Sequence, residues 1–168
     1  MAELWDIVDA NGQKTGRFHE RGKPMNPGDY HLSVSVWIVN GQGEFLISKR
    51  SPDARAGNMW ETTGGSAVAG EDAITAALRE VKEELGVSLD AGKGELYKSY
   101  TYPHSSGDGA AYITVWIFRQ EVDLADVILQ PGETCDVMWA SADVIRGLVR
   151  EGNFIAFDYL EDLFEKLK

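Results

Sequence analysis

Residues 65–87 read GSAVAGEDAITAALREVKEELGV, and no other stretch constrains the chain so tightly. From Glu71 to Leu85 the run holds neither Pro nor Gly and is rich in Ala, Leu and Glu, all strong helix formers. Gly86 then predicts the stop, because glycine tolerates the left-handed conformation that ends a helix. Ile74, Ala77, Leu78, Val81 and Leu85 recur three and four apart, which makes one apolar stripe facing a core. Glu80, Glu83 and Glu84 share another face at the same spacings. Carboxylates so placed repel by about 0.2–0.5 kcal/mol per pair. A divalent cation removes that repulsion, and oxygen-only ligands favour a hard ion such as Mg2+ or Mn2+. Taken alone, the cluster reads first as a solvated helix face, and Arg79 as a surface ion pair worth under about 1 kcal/mol.

The wider pattern weighs against the plainer reading. Gly65, Glu71, Arg79, Glu80, Val81, Glu83, Glu84, Gly86 and Val87 match G-x5-E-x7-R-E-U-x-E-E-x-G-U, with U apolar, at every position. This is the Nudix box, and the chain resembles the Nudix hydrolases, which cleave diphosphates linked to another moiety. The resemblance implies the α/β Nudix fold, an α/β/α sandwich around a mixed β-sheet. It further implies that Glu80 and Glu84 hold Mg2+ (or Mn2+), with Glu83 sharing an ion or a bound water. The carbonyl of Gly64 would add a ligand, and Arg79 would pair with Glu71 to orient the glutamates. Phosphoryl transfer needs neutralised oxygens and a water placed in line. The general base is left open among Glu80, Glu83 and Glu133, the last lying on the loop after Gln130-Pro131-Gly132.

At 168 residues with 43% apolar content, the chain is expected to form a single domain over 1–168 with a full core. The one cysteine, Cys135, excludes an internal disulfide and is expected to be a small buried strand residue. The N-terminal MAELWDIVDA carries acids rather than a basic stretch, which argues against a signal peptide or membrane anchor and for a cytoplasmic location. A net charge of -11 disfavours long nucleic acid as a partner. A small phosphorylated substrate escorted by Mg2+ remains compatible, in a monomer or homodimer.

Hydrophobic period and turn residues place strands at Leu4–Val8 and Thr15–Phe18 around Asn11-Gly12, then a loop over His19–Asp29. Leu32–Val39 and Phe45–Ser48 follow as strands, and Lys49–Asn58 as loop. Trp60–Val68 is read as a short strand and loop leading to the box helix. Leu96–Tyr102 and Ala111–Arg119 are strands about a loop at Pro103–Gly109, and Val137–Ala140 is a last strand. Ala142–Arg150 and Phe157–Leu167 have helical period.

The segments ELWDIVDANGQKTGR, Tyr30-His31 and FLISKRS look like Nudix proteins grouped beside isopentenyl diphosphate isomerase. That enzyme needs a thiol and metal histidines, but its cysteine position falls on Gly64 and one of its metal histidines on Ser66. Only His31 matches, and it reads as a strand-end histidine. Proton transfer to an alkene carbon then lacks an agent, which favours a diphosphatase over an isomerase-like enzyme; the other alternative, a catalytically silent diphosphate-binding module, should have a damaged box, and this one is intact. For substrate contacts, Arg50 and Lys49 end a strand leading towards the glycine pair, and Arg50 is the candidate phosphate ligand. Trp60 and Tyr102 are candidate stacking rings with packing as the plainer role. Trp60-Glu61-Thr62-Thr63-Gly64-Gly65 departs from the W-E-F-P-G-G of many nucleotide-cleaving members.

Overall fold

The computed structural model describes residues 1–103 and 109–168. Its spine is β3 (Tyr30–Val39), whose side chains are apolar on both faces. Val34, Val36 and Ile38 point to one side, Trp37 and Val39 to the other, and all are buried. A strand of this kind has to be covered on both sides. On one side lies α1 (Ala73–Leu85), which buries Ala76, Ala77, Val81 and Leu85 against the valine row. On the other lie α2 (Ala142–Arg150), through Ile145, and α3 (Leu160–Lys166), through Leu160, Leu163 and Phe164. The sequence expectation of an α/β/α sandwich holds.

One edge of β3 pairs along its whole length with β8 (Ala110–Arg119), in parallel from Tyr30↔Ala110 to Val39↔Arg119. Beyond β8 runs antiparallel β7 (Gly94–Tyr102). The other edge of β3 is divided among three partners. β1 (Leu4–Val8) meets Tyr30 and His31, β6 (Thr63–Ser66) meets Ser33–Val36, and β4 (Phe45–Arg50) pairs only at Val39↔Phe45. β3 and β4 therefore diverge from their hairpin, and β4 goes on to pair with β5 (Trp60–Glu61) and β9 (Thr134–Ala140). β2 (Lys14–Glu20) closes the outer edge against β1. The glycine pair thus sits on β6, inside the fork of the sheet.

Most departures from expectation lie at element ends. β2 continues to Glu20 because Leu4↔Glu20 and Trp5↔His19 stay in register, and β4 continues to Arg50 through its pairing with β9. β3, β7, β8 and β9 likewise begin one to three residues early. Gly64-Gly65, within the expected short strand and loop of Trp60–Val68, is extended strand paired with Ser35 and Val34. The box helix starts at Ala73 because Asp72 is its N-cap, accepting a hydrogen bond from the Thr75 amide at 2.9 Å. Gly86 ends it at φ 68°, donating its N–H to the Lys82 carbonyl. The last helix is shorter than its apolar period, with Phe157 lying before it and stacking on Tyr159 at 5.2 Å. The expected loop at Pro103–Gly109 falls largely outside the described residues.

Cys135 corrects its expectation: it is exposed. The ladder pairs Lys49 with Asp136 but Arg50 with Thr134, so Cys135 is the extra residue of a β-bulge, and its side chain is turned off the core face.

Candidate active site

The apolar stripe of α1 fixes its rotation, and this sets the glutamate face against β6. Arg79 is the hub of that face. Its Nε donates to Glu71 Oε1 at 2.7 Å, and its terminal nitrogens reach Glu71 Oε2 (3.0 Å), Glu80 Oε1 (3.0 Å), Glu83 Oε2 (3.2 Å) and the Ser66 carbonyl (3.0 Å). Glu71 also accepts from the Val68 amide at 3.0 Å, which ties the loop before α1 to the same guanidinium. These charge-assisted bonds hold the Glu71 carboxyl below its ordinary range against the opposing effect of burial.

Glu80 and Glu84 are pushed the other way. Burial raises the Glu80 carboxyl to about 7, with Arg79 opposing and Glu83 adding to the rise. Burial also raises Glu84, to about 9, reinforced by the negative charges of Glu61, Glu80 and Glu133 and offset in part by Arg50. One oxygen of Glu84, Oε2, is buried with no hydrogen-bond partner. Glu84 is therefore no solvated helix face, as a surface reading of E-x-x-E-E would have it. Glu83 alone of the three is open, with 48% of its side chain exposed.

The glycine pair has a steric reason. A Cβ on Gly65 would overlap the carboxylate of Glu80, and one on Gly64 would overlap the Val34 carbonyl. Main chain and carboxylate can come this close only where no side chain intervenes. Among the described residues, no three His, Cys, Asp or Glu side chains already converge as a ligand set. The cause is visible in the ion pairs: Arg79 draws Glu80 and Glu83 to itself.

Glu61 is the residue that sequence reasoning missed. It lies on β5 opposite Ser48 and is largely withdrawn from water, its carboxyl raised by burial and lowered by Arg50. Arg50 donates to Glu61 Oε1 at 2.9 Å and to the Arg55 carbonyl, so it is engaged at the acidic cluster rather than solvated. The signal was the acid beside Trp60, which attention to the aromatic ring passed over. Glu133 is exposed on its loop yet near enough to raise both Glu61 and Glu84. Trp60 is drawn into packing instead: its ring lies against the core beside α2 and α3, with the Lys49 ammonium 5.9 Å from its centroid.

His31 is buried and stacks on Trp5 at 4.1 Å, its Nδ1 lying 3.4 Å from Ser33 Oγ. Both rings, with Arg21, wall a cavity of about 220 Å³ whose other side includes Glu61, Gly64 and Gly65. The N-terminal hairpin thus contributes a wall that its sequence did not announce.

Residues 29–163 match the NUDIX domain family. An uncharacterised Nudix hydrolase of Listeria innocua is 36% identical over 165 residues, covering 97% of this chain and 94% of the relative. Isopentenyl-diphosphate Delta-isomerase of Escherichia coli is similar at 25% identity over 145 residues, 84% of this chain and 79% of that enzyme. A crystal structure from Deinococcus radiodurans superposes with a TM-score of 0.73 at 23% identity, covering 98% of this chain and 99% of the other, a likeness of fold. No helix among the described residues is long and apolar enough to cross a membrane. The domain match spans most of the chain, and the Listeria relative aligns with nearly all of it; on both grounds the chain belongs to the Nudix hydrolases, a family acting on pyrophosphate-containing substrates.

Proposed function

We propose that the chain is a Mg2+-dependent hydrolase, with Mn2+ as a substitute, cleaving the diphosphate bond of a small nucleoside diphosphate-X or similar substrate. The carrying observation is the α1 face, where a buried Glu84 oxygen lacks a partner and Glu80 is packed against a side-chain-free Gly65. An all-oxygen donor set that includes two buried carboxyls, both raised by burial and by neighbouring acids, fits a hard divalent cation, whose charge would favour their ionised forms. Glu80 and Glu84, with the Gly64 carbonyl, would hold it, and when bound it supplies neutralisation of the phosphate oxygens and a more acidic water.

The chain's own residues supply the rest. Arg79, fixed by Glu71, orients Glu80 and Glu83 from behind. Glu83, the solvent-open carboxylate of the face, takes the proton of the attacking water. Water adds to one phosphorus, the bridging P–O bond breaks, and the leaving phosphate departs with its electron pair. Arg50 and Glu133 border the cluster and set the charge presented to the substrate. An isomerase is not favoured, because position 64 is a glycine whose Cβ would strike the Val34 carbonyl. A panel of nucleoside, sugar, prenyl and dinucleotide diphosphates, assayed with Mg2+ and again after chelation, tests the proposal. Undiminished turnover after exhaustive metal removal would defeat it.

A further inference from the structure

A cation with no part in the hydrolytic scheme borders the cavity at Gly64. The volume of about 220 Å³ falls below that of a whole-ligand pocket and suits a charged group rather than an entire substrate. Gly64, Gly65 and Glu61 come to its lining from β5 and β6, and Trp5 and Arg21 come from the N-terminal hairpin and the residue that follows it. Among the described residues that line the cavity, Arg21 is the one lysine or arginine. Resting on the hydrolase reading, we infer that Arg21 binds the second phosphate of the substrate, the one not held at the Glu80 and Glu84 face, and so makes the site select a diphosphate group over a single phosphate.

Arg21 is held in place while its donors stay open. Its backbone N–H donates to the Glu3 carbonyl at 2.9 Å, and its guanidinium stands 5.7 Å over the Trp5 ring. Trp5 is buried, stacks on His31 at 4.1 Å and donates Nε1 to Glu3 Oε1 at 2.6 Å. The other Glu3 oxygen lies 3.5 Å from Arg21 Nη1, a long contact. Among the described residues, no group accepts from Nε or Nη2. A guanidinium laid on an aromatic face with one edge open presents the paired N–H groups that a phosphate takes bidentately. The neighbouring arginines are committed instead. Arg79 is bonded to Glu71, Glu80, Glu83 and the Ser66 carbonyl, and Arg50 to Glu61 and the Arg55 carbonyl.

The hairpin is fixed relative to the glutamate face. The Ala69 N–H donates to the Leu4 carbonyl and the Gly70 N–H to Asp6 Oδ2, both at 2.8 Å, so β1 is bonded to the loop that leads into α1. His31 Nδ1 lies 3.5 Å from Ser66 Oγ, which joins the Trp5 stack to β6. Glu3, which flanks Arg21, stands near enough to Glu80 for its charge to raise that carboxyl. A diphosphate held at one end by a cation on Glu80 and Glu84 leaves its other phosphate without a counter-charge, in a chain of net charge -11. Arg21 supplies that charge. The matched NUDIX domain begins at residue 29, so this cation comes from the segment that precedes it.

The test is calorimetric titration of the full chain, at a fixed Mg2+ concentration, with methylenediphosphonate (a diphosphate analogue whose bridge water does not cleave) and with inorganic phosphate. Wild type should bind the diphosphonate at least about tenfold more tightly than phosphate. Arg21→Gln should weaken the diphosphonate at least about tenfold and phosphate less than about twofold. Lys23→Gln removes the same charge from an exposed residue outside the cavity, paired with Glu20, and should change neither by more than about twofold. Arg21→Lys keeps the charge but loses the fork; it should weaken the diphosphonate at least about threefold, and it serves if Arg21→Gln does not fold. A folded Arg21 variant that binds the diphosphonate like wild type would overturn the inference. So would equal losses in Arg21→Gln and Lys23→Gln, or a wild type with no preference for the diphosphonate. Hydrolysis of the diphosphate panel is scored separately. Its survival without that preference removes the role of Arg21 alone, whereas an Arg21-dependent preference without hydrolysis removes the hydrolase reading alone.

Discussion

Glu84→Gln separates the two demands that the site makes on one side chain. In the metal-free protein the folded state holds the Glu84 proton up to about pH 9, whereas an unfolded chain releases it near the ordinary value of 4.5. The unfolded state is therefore increasingly favoured as pH rises through that window, and the contribution of Glu84 to stability is lost from acid towards base. Each unit is worth about 1.36 kcal/mol, which sets a ceiling of about 5 kcal/mol at pH 8. Solvent at the open side of the cluster relaxes part of this, and about 2 kcal/mol is the expected remainder. Glutamine has the same shape and no charge to bury. In chelator at pH 8 the variant should melt about 4–8 °C above wild type, and at pH 5 the two should coincide. The same variant should lose turnover by orders of magnitude and lose the Mg2+-induced rise in melting temperature. Thermal denaturation at both pH values, with and without Mg2+, measures all of this. A variant less stable than wild type at pH 8 without metal, or one that retains the Mg2+ effect, would refute the reasoning.

Three further outcomes follow from the geometry. Gly65→Ala places a methyl group on the Glu80 carboxylate and should cut turnover at least a hundredfold, while its circular dichroism stays that of wild type; normal turnover would contradict the close approach. Mn2+ or Mg2+ affinity should climb from pH 6 to pH 9 with release of protons, because Glu80 and Glu84 must shed theirs to bind, and calorimetry in buffers of different ionisation enthalpy reads both. Trp37→Ala should destabilise by about 3–5 kcal/mol in denaturant titration, since a buried indole at the centre of the α2/α3 face is deleted together with its bond to Tyr159.

What could be read from the chain follows how local each feature is. The helix, its apolar stripe and the shared face of Glu80, Glu83 and Glu84 depend on spacings within four residues, and they stand in the structure close to their expected form. The run Leu32–Val39 likewise marked a strand, and it stands within β3. Features made by distant partners were not legible. Glu61 becomes part of the cluster only because β4 diverges from β3 and carries Arg50 to it. The exposure of Cys135 depends on one extra residue in β9 relative to β4. The wall of Trp5, His31 and Arg21 exists only because β1 pairs with the first two residues of β3. Taken alone, the cluster of Glu80, Glu83 and Glu84 read as a solvated face because periodicity reports which residues share a face, and not what that face meets.

Hydrolysis in oxygen-18 water tests the central claim most directly. The chain is incubated with the diphosphate panel and Mg2+, and the products are examined by mass spectrometry. One solvent oxygen should appear in one phosphate-containing product per turnover, and chelator should abolish its appearance. Substrate recovered without solvent oxygen, together with deuterium entering an unhydrolysed prenyl diphosphate in heavy water, would contradict the account.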